Sequence, residues 1–290
     1  MAAAARAAGA EYWFESHDGL RLFSRVYAGP AADAPVVVCL HGLMRTGRDF
    51  EELAPHLARR YRVIVPDARG RGFSARDPDY NNYTIPVYVQ DLARLLGGLG
   101  ASRVALIGTS MGGLMALVLA YSQPGEVRGI VLNDVGAEID PRGLERIRGY
   151  AGRSGPVGSW SEAVAQARGI YGAAWPGLDD ERWQVLVRRN YRETPSGTIE
   201  VDADPLVGEP LRNNPNASPA LWPWWGTLSR VPMLALRGAH SDILSAETLA
   251  RMQRETPGLV AVTVADRGHT PLLDEPECLG AIDGFLERLA

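Results

Sequence analysis

Short apolar runs alternate with amphipathic segments along most of the chain. A continuous apolar run, typical of a strand buried on both faces of a parallel sheet, occurs at residues 36–40, and further strand-like segments rich in apolar residues occur at 62–65, 104–107, 127–132, 233–236 and 259–264. Helical periodicity predicts helices over residues 50–60, 86–99, 246–254 and about 276–289. Near the start, His17-Asp18-Gly19 separates two strand-like segments and predicts a hairpin. The pattern indicates an α/β fold in which helices cover both faces of a mostly parallel sheet.

The alternation stops between residues 136 and 230. This segment has arginine-rich helical patterning and joints rich in proline and glycine. It also holds six of the seven tryptophans, namely Trp160, Trp175, Trp183, Trp222, Trp224 and Trp225. The sequence therefore predicts a core domain of residues 1–135 and 231–290, with a helical cap of residues 136–230 inserted into it.

Composition and charge narrow the classes of function. The chain has 290 residues, 46% of them hydrophobic and 22% charged, and a formal net charge of -4, which gives no reason to expect nucleic acid or an anionic membrane as a partner. We expect a cytoplasmic protein, because no apolar run approaches the ~20 residues of a membrane span and the start lacks the apolar region of a signal peptide. All 30 cationic residues are arginine, which excludes lysine Schiff-base chemistry. We expect neither a cofactor nor a metal, since no histidine, cysteine or carboxylate spacing predicts a metal site.

Gly108-Thr109-Ser110-Met111-Gly112 interrupts an apolar run between a predicted strand and a predicted helix. A serine at the apex of so tight a turn presses its backbone against the residues two before and two after it, where glycine avoids a clash. The turn exposes the serine hydroxyl and directs the amide groups of the following helix toward developing negative charge. We interpret Ser110 as a nucleophile.

A serine nucleophile needs a base, and the base needs an orienting carboxylate. Of the five histidines, His269 is the leading candidate because it follows the last strand, and His240 is its competitor. Asp242 and Asp134 are the two candidates for the orienting carboxylate. Asp242 follows the strand that comes after residues 136–230, and Asp134 follows the strand that comes before them. We favour Asp242 and keep Asp134 as the second choice.

The remaining expectations concern the oxyanion and the substrate pocket. Two backbone amides are expected to hold the oxyanion: that of Met111, which follows the nucleophile, and that of Leu43, in the tight turn after the strand at 36–40. The tryptophans of the cap make an apolar or aromatic pocket plausible, and we expect Met44 and Trp225 to contribute to substrate binding.

Five features in this order resemble the α/β-hydrolase family: the His41-Gly42 loop, Asp-Ala-Arg-Gly-Arg-Gly-Phe-Ser at 67–74, the turn around Ser110, Asp242, and Gly268-His269. The resemblance implies an eight-stranded, mostly parallel sheet and a helical cap after the sixth strand. It also implies a triad of Ser110, His269 and Asp242. Serine at the turn argues against the haloalkane dehalogenases and epoxide hydrolases, which place aspartate there.

The resulting hypothesis is a serine hydrolase that cleaves small to medium apolar or aromatic esters or lactones through an acyl-enzyme. Within enzymes, the alternatives are a carbon–carbon hydrolase of ring-fission diketones and a cofactor-free haloperoxidase or perhydrolase. A non-enzymatic ligand receptor on the same fold is the remaining alternative, because the fold alone does not choose among functions.

Overall fold

The protein, described here by a computed structural model over residues 9–214 and 220–289, is built on one large sheet. The strands are β1 Ala10–Glu15, β2 Arg21–Tyr27, β3 Val36–Leu40, β4 Arg62–Asp67, β5 Val104–Thr109, β6 Val127–Asn133, β7 Tyr191–Glu193, β8 Ile199–Val201, β9 Met233–Gly238 and β10 Val260–Val264. Eight of them form the sheet in the order β1-β2-β4-β3-β5-β6-β9-β10. β1 pairs with β2 and β2 with β4 in antiparallel fashion, and the other neighbours are parallel. The predicted eight-stranded, mostly parallel sheet is confirmed.

Helices cover both faces of this sheet. In the described part of the chain the helices are α1 Leu53–Leu57, α2 Ile85–Gly98, α3 Met111–Ser122, α4 Pro141–Tyr150, α5 Trp160–Tyr171, α6 Asp180–Asn190, α7 Glu209–Asn213, α8 Trp222–Leu228, α9 Ala246–Glu255 and α10 Pro276–Leu289, and α4–α8 lie in the segment between β6 and β9. The central strands are apolar at nearly every position because helices bury them from both sides, and β5 has no exposed residue. Among the described residues, none of the helices combines the length and apolar character needed to cross a bilayer.

One predicted helix is shorter than expected. The sequence predicts a single helix over residues 50–60, but the structure has a 3₁₀ turn at Gly47–Phe50 and then the short α1. Pro55 lies inside this segment and has no N–H to donate, so a continuous helix through it would lose a backbone bond. The shorter helix still buries Leu53 and Leu57 against the sheet.

The chain between β6 and β9 leaves the sheet and forms α4–α8 and the hairpin of β7 and β8, a segment we call the cap segment. Part of it has an apolar cluster of its own, built around Trp175, Trp183 and Tyr191. The helical patterning anticipated the helices and missed the hairpin. Its strands have only three residues each, too few to show an alternation, and the turn between them uses Gly197 at a φ of 82°.

The turn between β5 and α3 lies in close contact with neighbouring backbone. A Cβ added to Gly112 would lie 2.1 Å from the carbonyl oxygen of Leu40 at the end of β3. A Cβ added to Gly108 would lie 2.4 Å from the carbonyl group of Gly112. Both contacts are with backbone, which has no side-chain freedom to relieve them, so the sequence needs glycine at both positions.

We therefore expect Gly112→Ala to lower the free energy of unfolding by at least about 2 kcal/mol, because the new methyl group must displace β3 or α3. Urea unfolding of the purified protein measures this. Gly97→Ala is the matched control: a Cβ at this exposed position in α2 meets nothing within 4 Å. It should be neutral or stabilising by up to about 1 kcal/mol. Equal stability of the two variants would contradict the crowding argument.

Candidate active site

Ser110 lies at the apex of the turn between β5 and α3, at the carboxyl edge of the parallel strands. Its backbone has φ 51° and ψ -113°, a conformation that L-residues adopt at a cost and that is typical of functional turns. The Ser110 amide donates to the carbonyl oxygen of Asn133 at the end of β6, at 3.0 Å. The serine is therefore fixed by its backbone on one side and by the crowded glycines on the other.

His269 follows β10 and reaches Ser110 from the opposite side of the turn. Its Nε2 lies 2.9 Å from the hydroxyl oxygen of Ser110, and its Nδ1 lies 2.8 Å from Oδ2 of Asp134. A carboxylate can only accept, so Nδ1 carries the proton and Nε2 is left to accept the serine proton. His240, the competing histidine, is exposed and lies 4.0 Å from Asp266.

Asp134 is completely buried directly after β6. Besides His269, its carboxylate accepts the Gly238 amide at 2.9 Å and the Ser241 hydroxyl at 2.6 Å. The Asp134 amide in turn donates to the Leu236 carbonyl at 2.8 Å. These bonds satisfy a buried charge and fix the oxygen that faces the imidazole.

The expectation that Asp242 contacts His269 is corrected by the structure. The chain after β9 turns so that Ser241 points inward to Asp134, while Asp242 points outward to Arg146 of α4. Arg146 binds that carboxylate through two nitrogens, Nη2 at 2.8 Å, and about a third of both side chains is exposed. The Arg146 guanidinium lowers the pKa of Asp242 despite partial burial. Asp134, the second choice, occupies the position expected of Asp242.

Leu43 and Met111, which we expect to donate to the oxyanion, lie beside Ser110. Met111 is the first residue of α3, so its N–H has no acceptor within the helix. Leu43 follows Gly42, and a Cβ built on Gly42 would lie 3.9 Å from the Ser110 Cβ, which shows how closely this loop approaches the serine. Leu43 and Ser110 line the same cavity.

His41 fixes the loop that carries Leu43. Its Nε2 accepts the Ala68 amide at 3.0 Å, so the proton is on Nδ1, which donates to the Gly42 carbonyl at 2.8 Å. That carbonyl belongs to the same peptide group as the Leu43 N–H, so the bond fixes the direction in which the N–H points. Burial, aided by the charge of Arg71, lowers the pKa of His41 to about 4, which keeps the imidazole neutral and able to accept.

A small cavity of about 60 Å³ lies between Ser110 and the cap segment. The sequence-predicted Met44 lines it, and so does Trp175 of the cap segment, which the sequence did not single out. Trp225, predicted to bind substrate, is wholly buried elsewhere, packed in the main apolar core, and its indole N–H donates to Thr256. The residues that line the cavity include Met44, Arg45, Ile147, Tyr150, Tyr171 and Trp175.

An ion pair makes this cavity more polar than the sequence predicts. Arg45 binds Asp49 through Nε at 2.8 Å and Nη2 at 2.7 Å, and Asn190 of α6 donates to the same carboxylate. The Arg45 guanidinium carbon lies 5.4 Å from the ring centre of Tyr171 and 5.2 Å from that of Trp175. Asp49 raises the pKa of Arg45 against the effect of burial. No sequence signal points to this pair, because neither residue belongs to a motif.

No arrangement suited to a metal ion lies near Ser110 in the part of the chain that is described. Within those residues, His17, Asp18 and Asp91 bring three possible ligands together. Both carboxylates already bind the guanidinium of buried Arg69, Asp91 at 2.7 Å through each of its oxygens. The cluster is accounted for as ion pairing that joins the first hairpin to α2.

Comparison with known proteins places this geometry in a family. Residues 35–175 match the model of the alpha/beta hydrolase fold. The 3-hydroxybutyrate-oligomer hydrolase of Cupriavidus necator is 36% identical over 256 residues, covering 86% of this chain and 87% of that protein. The cis-3-alkyl-4-alkyloxetan-2-one decarboxylase of Xanthomonas campestris is 30% identical and covers 90% of each.

Among solved structures, an alpha/beta hydrolase from Novosphingobium aromaticivorans superposes with a TM-score of 0.92 at 42% identity, covering 97% of this chain and 99% of that one. The chain belongs to the α/β-hydrolase family. The relatives include a hydrolase and a decarboxylase, so membership alone does not set the reaction.

Asp134→Asn and Asp242→Asn form a matched pair that tests which carboxylate orients His269. We expect Asp134→Asn to lower kcat for an ester by roughly three to four orders of magnitude, because an amide can donate to Nδ1 and stabilise the wrong tautomer. Asp242→Asn, which only weakens a partly exposed ion pair, should change kcat by less than about tenfold. A larger loss in Asp242→Asn would restore Asp242 as the orienting acid.

Proposed function

We propose that this α/β-hydrolase is a serine carboxylic-ester hydrolase in which Ser110 is the nucleophile, His269 the general base and Asp134 the orienting acid. The observation that carries the proposal is the hydrogen-bonded line from the Ser110 hydroxyl through His269 to Asp134, with distances of 2.9 and 2.8 Å. A binding protein would have this chain of hydrogen bonds only by chance, whereas acyl transfer requires each of them.

In the first half of the reaction, His269 Nε2 takes the hydroxyl proton as the Ser110 oxygen attacks the ester carbonyl. The imidazolium formed is stabilised by the buried Asp134 carboxylate. The Leu43 and Met111 amides hold the negative charge on the former carbonyl oxygen. When the tetrahedral intermediate collapses, the C–O bond to the alcohol breaks and His269 donates the proton to the leaving oxygen.

In the second half, His269 takes a proton from water, and the resulting hydroxide attacks the acyl-enzyme. The acid leaves and Ser110 regains its proton. Every proton in this cycle passes through His269 Nε2, so neither a metal nor an organic cofactor is needed. The two donors of the oxyanion site are backbone amides, which keep their positions through both halves.

The cavity supports a short, oxygen-bearing acyl group better than the apolar or aromatic group that the tryptophans suggest. About 60 Å³ is available beside Ser110, and Arg45 and two tyrosines contribute polar edges to its wall. A relative covering most of the chain is a hydrolase of 3-hydroxybutyrate oligomers, whose name describes short acyl units of this kind. We therefore propose short hydroxyacyl esters as the preferred substrates.

Ser110→Ala should abolish hydrolysis of p-nitrophenyl butyrate, with a loss in kcat of at least about 10⁴-fold, while circular dichroism and thermal unfolding remain like those of the wild type. Thr109→Ser is a matched control, since it changes the adjacent hydroxyl residue and leaves the nucleophile in place. Ester turnover retained in Ser110→Ala would overturn the assignment of the nucleophile.

A substrate series tests the acyl preference. We expect 3-hydroxybutyryl and butyryl esters to exceed the decanoyl ester in kcat/KM by at least about tenfold, since a long chain does not fit the cavity. Dimers of 3-hydroxybutyrate should be cleaved to the monomer, as followed by chromatography. Faster cleavage of a ring-fission diketone than of any ester would favour the carbon–carbon hydrolase instead.

A further inference from the structure

Arg71 is a buried cation directly behind the two proposed oxyanion donors. It belongs to the loop after β4 and is 1% exposed. Its Nε donates to the Leu43 carbonyl at 2.9 Å, and its Nη2 lies 3.4 Å from the Met111 sulfur. One guanidinium therefore touches both Leu43 and Met111, which come from different segments of the chain.

In the described part of the chain, Arg71 lacks the carboxylate partner that the buried Arg69 and Arg189 have. Its third hydrogen bond, from Nη1, goes to the Arg69 carbonyl at 2.7 Å. Within the described residues, no carboxylate oxygen lies within 4.0 Å of Arg71, whereas Arg69, two positions earlier, binds three aspartates. Two tyrosine rings take the place of a carboxylate: the guanidinium carbon lies 4.8 Å from the ring centre of Tyr88 and 5.6 Å from that of Tyr83.

Carbonyl oxygens and ring faces satisfy the donors of a guanidinium without neutralising its charge. Burying a cation in this way has a large desolvation cost, so an arginine here disfavours folding relative to an apolar residue of similar size. A positive charge kept at this cost points to a negative charge that it stabilises in the folded enzyme. The nearest candidate is the negative charge that develops on the substrate oxygen between the Leu43 and Met111 amides.

The loop geometry supports a second effect. The Gly42 carbonyl is fixed by His41 Nδ1, and the next carbonyl, that of Leu43, is fixed by Arg71 Nε. The two peptide groups that flank Leu43 are thus each bound by a buried side chain. Arg71 also contacts the Met111 side chain, so it bridges the loop and the first residue of α3.

We propose that Arg71 is a positioning residue for the oxyanion site, which holds Leu43 against Met111 and places an unneutralised positive charge behind their amides. The inference rests on the proposed function, since it needs an oxyanion at this place. Arg71 is not one of the proposed substrate contacts, and it acts through Leu43 and Met111.

The test compares Arg71→Met, which removes charge and donors at similar length, with Arg71→Gln, which keeps donors, and Arg71→Lys, which keeps charge. Tyr88→Phe is the control for local packing, because it keeps the ring beside Arg71 and removes a buried hydroxyl that has no hydrogen-bond partner among the described residues. For each variant we would measure kcat and KM for p-nitrophenyl butyrate. We would also measure the inhibition constant of butylboronic acid, which forms a tetrahedral anion on the serine.

We expect Arg71→Met to lower kcat by about 10- to 100-fold per active serine, counted by stoichiometric fluorophosphonate labelling, with KM changed by less than about threefold. The boronic acid should bind more weakly by a similar factor. Arg71→Lys should retain more kcat than Arg71→Gln, and Tyr88→Phe should equal the wild type.

Several results would overturn the inference. An unchanged kcat per active serine in Arg71→Met would do so, as would a rise in KM with kcat unaltered, or boronic acid binding that does not follow kcat. If Arg71→Met does not fold, the order of Lys and Gln decides, and a Gln variant at least as active as Lys contradicts the role of the charge. Failure of the proposed function is a separate result: the wild type would then lack Ser110-dependent ester turnover, whatever the Arg71 variants do.

Discussion

The close approach of the turn around Ser110 to the end of β3 is the constraint on which the site depends. A Cβ on Gly112 would lie 2.1 Å from the Leu40 carbonyl oxygen, so this position has room only for hydrogen. The contact brings the start of α3 against the loop that begins at His41, so that Leu43 and Met111, the two proposed oxyanion donors, come close together. The same turn strains Ser110 into a positive φ and presents its hydroxyl to Nε2 of His269.

Asp134 extends this arrangement across the sheet. Its carboxylate bonds to His269, to the Gly238 amide at the end of β9 and to Ser241 beyond it. Three separate segments, which contain Asp134, residues 238–241 and His269, therefore meet at one buried charge. Removal of that charge would loosen the position of His269 and also the ends of β6 and β9.

Much of this architecture could be predicted from the sequence because its causes are local: continuous apolar runs, a glycine-flanked serine and a histidine after the last strand. The choice between Asp134 and Asp242 depends instead on Arg146, about a hundred residues earlier in the chain, which binds Asp242 on the outside. The wrong prediction that Trp225 contributes to substrate binding has the same origin. Tryptophans are concentrated in the cap segment, but only packing between distant elements decides that Trp175 lines the cavity while Trp225 is buried in the core.

The cap segment and the loop that carries His269 are joined by two hydrogen bonds, one on either side of His269. The Gly268 amide donates to the Ala174 carbonyl at 2.7 Å, and the Trp175 indole N–H donates to the Thr270 carbonyl at 2.7 Å. A Cβ added to Gly268 would lie 2.9 Å from the Cα of Ala174, so this junction leaves no room for a larger residue. The cap segment is consequently not an interchangeable module. A chimera with a different cap segment would also change the orientation of the His269 imidazole. Selection for a new substrate shape must therefore act on proton transfer at the same time.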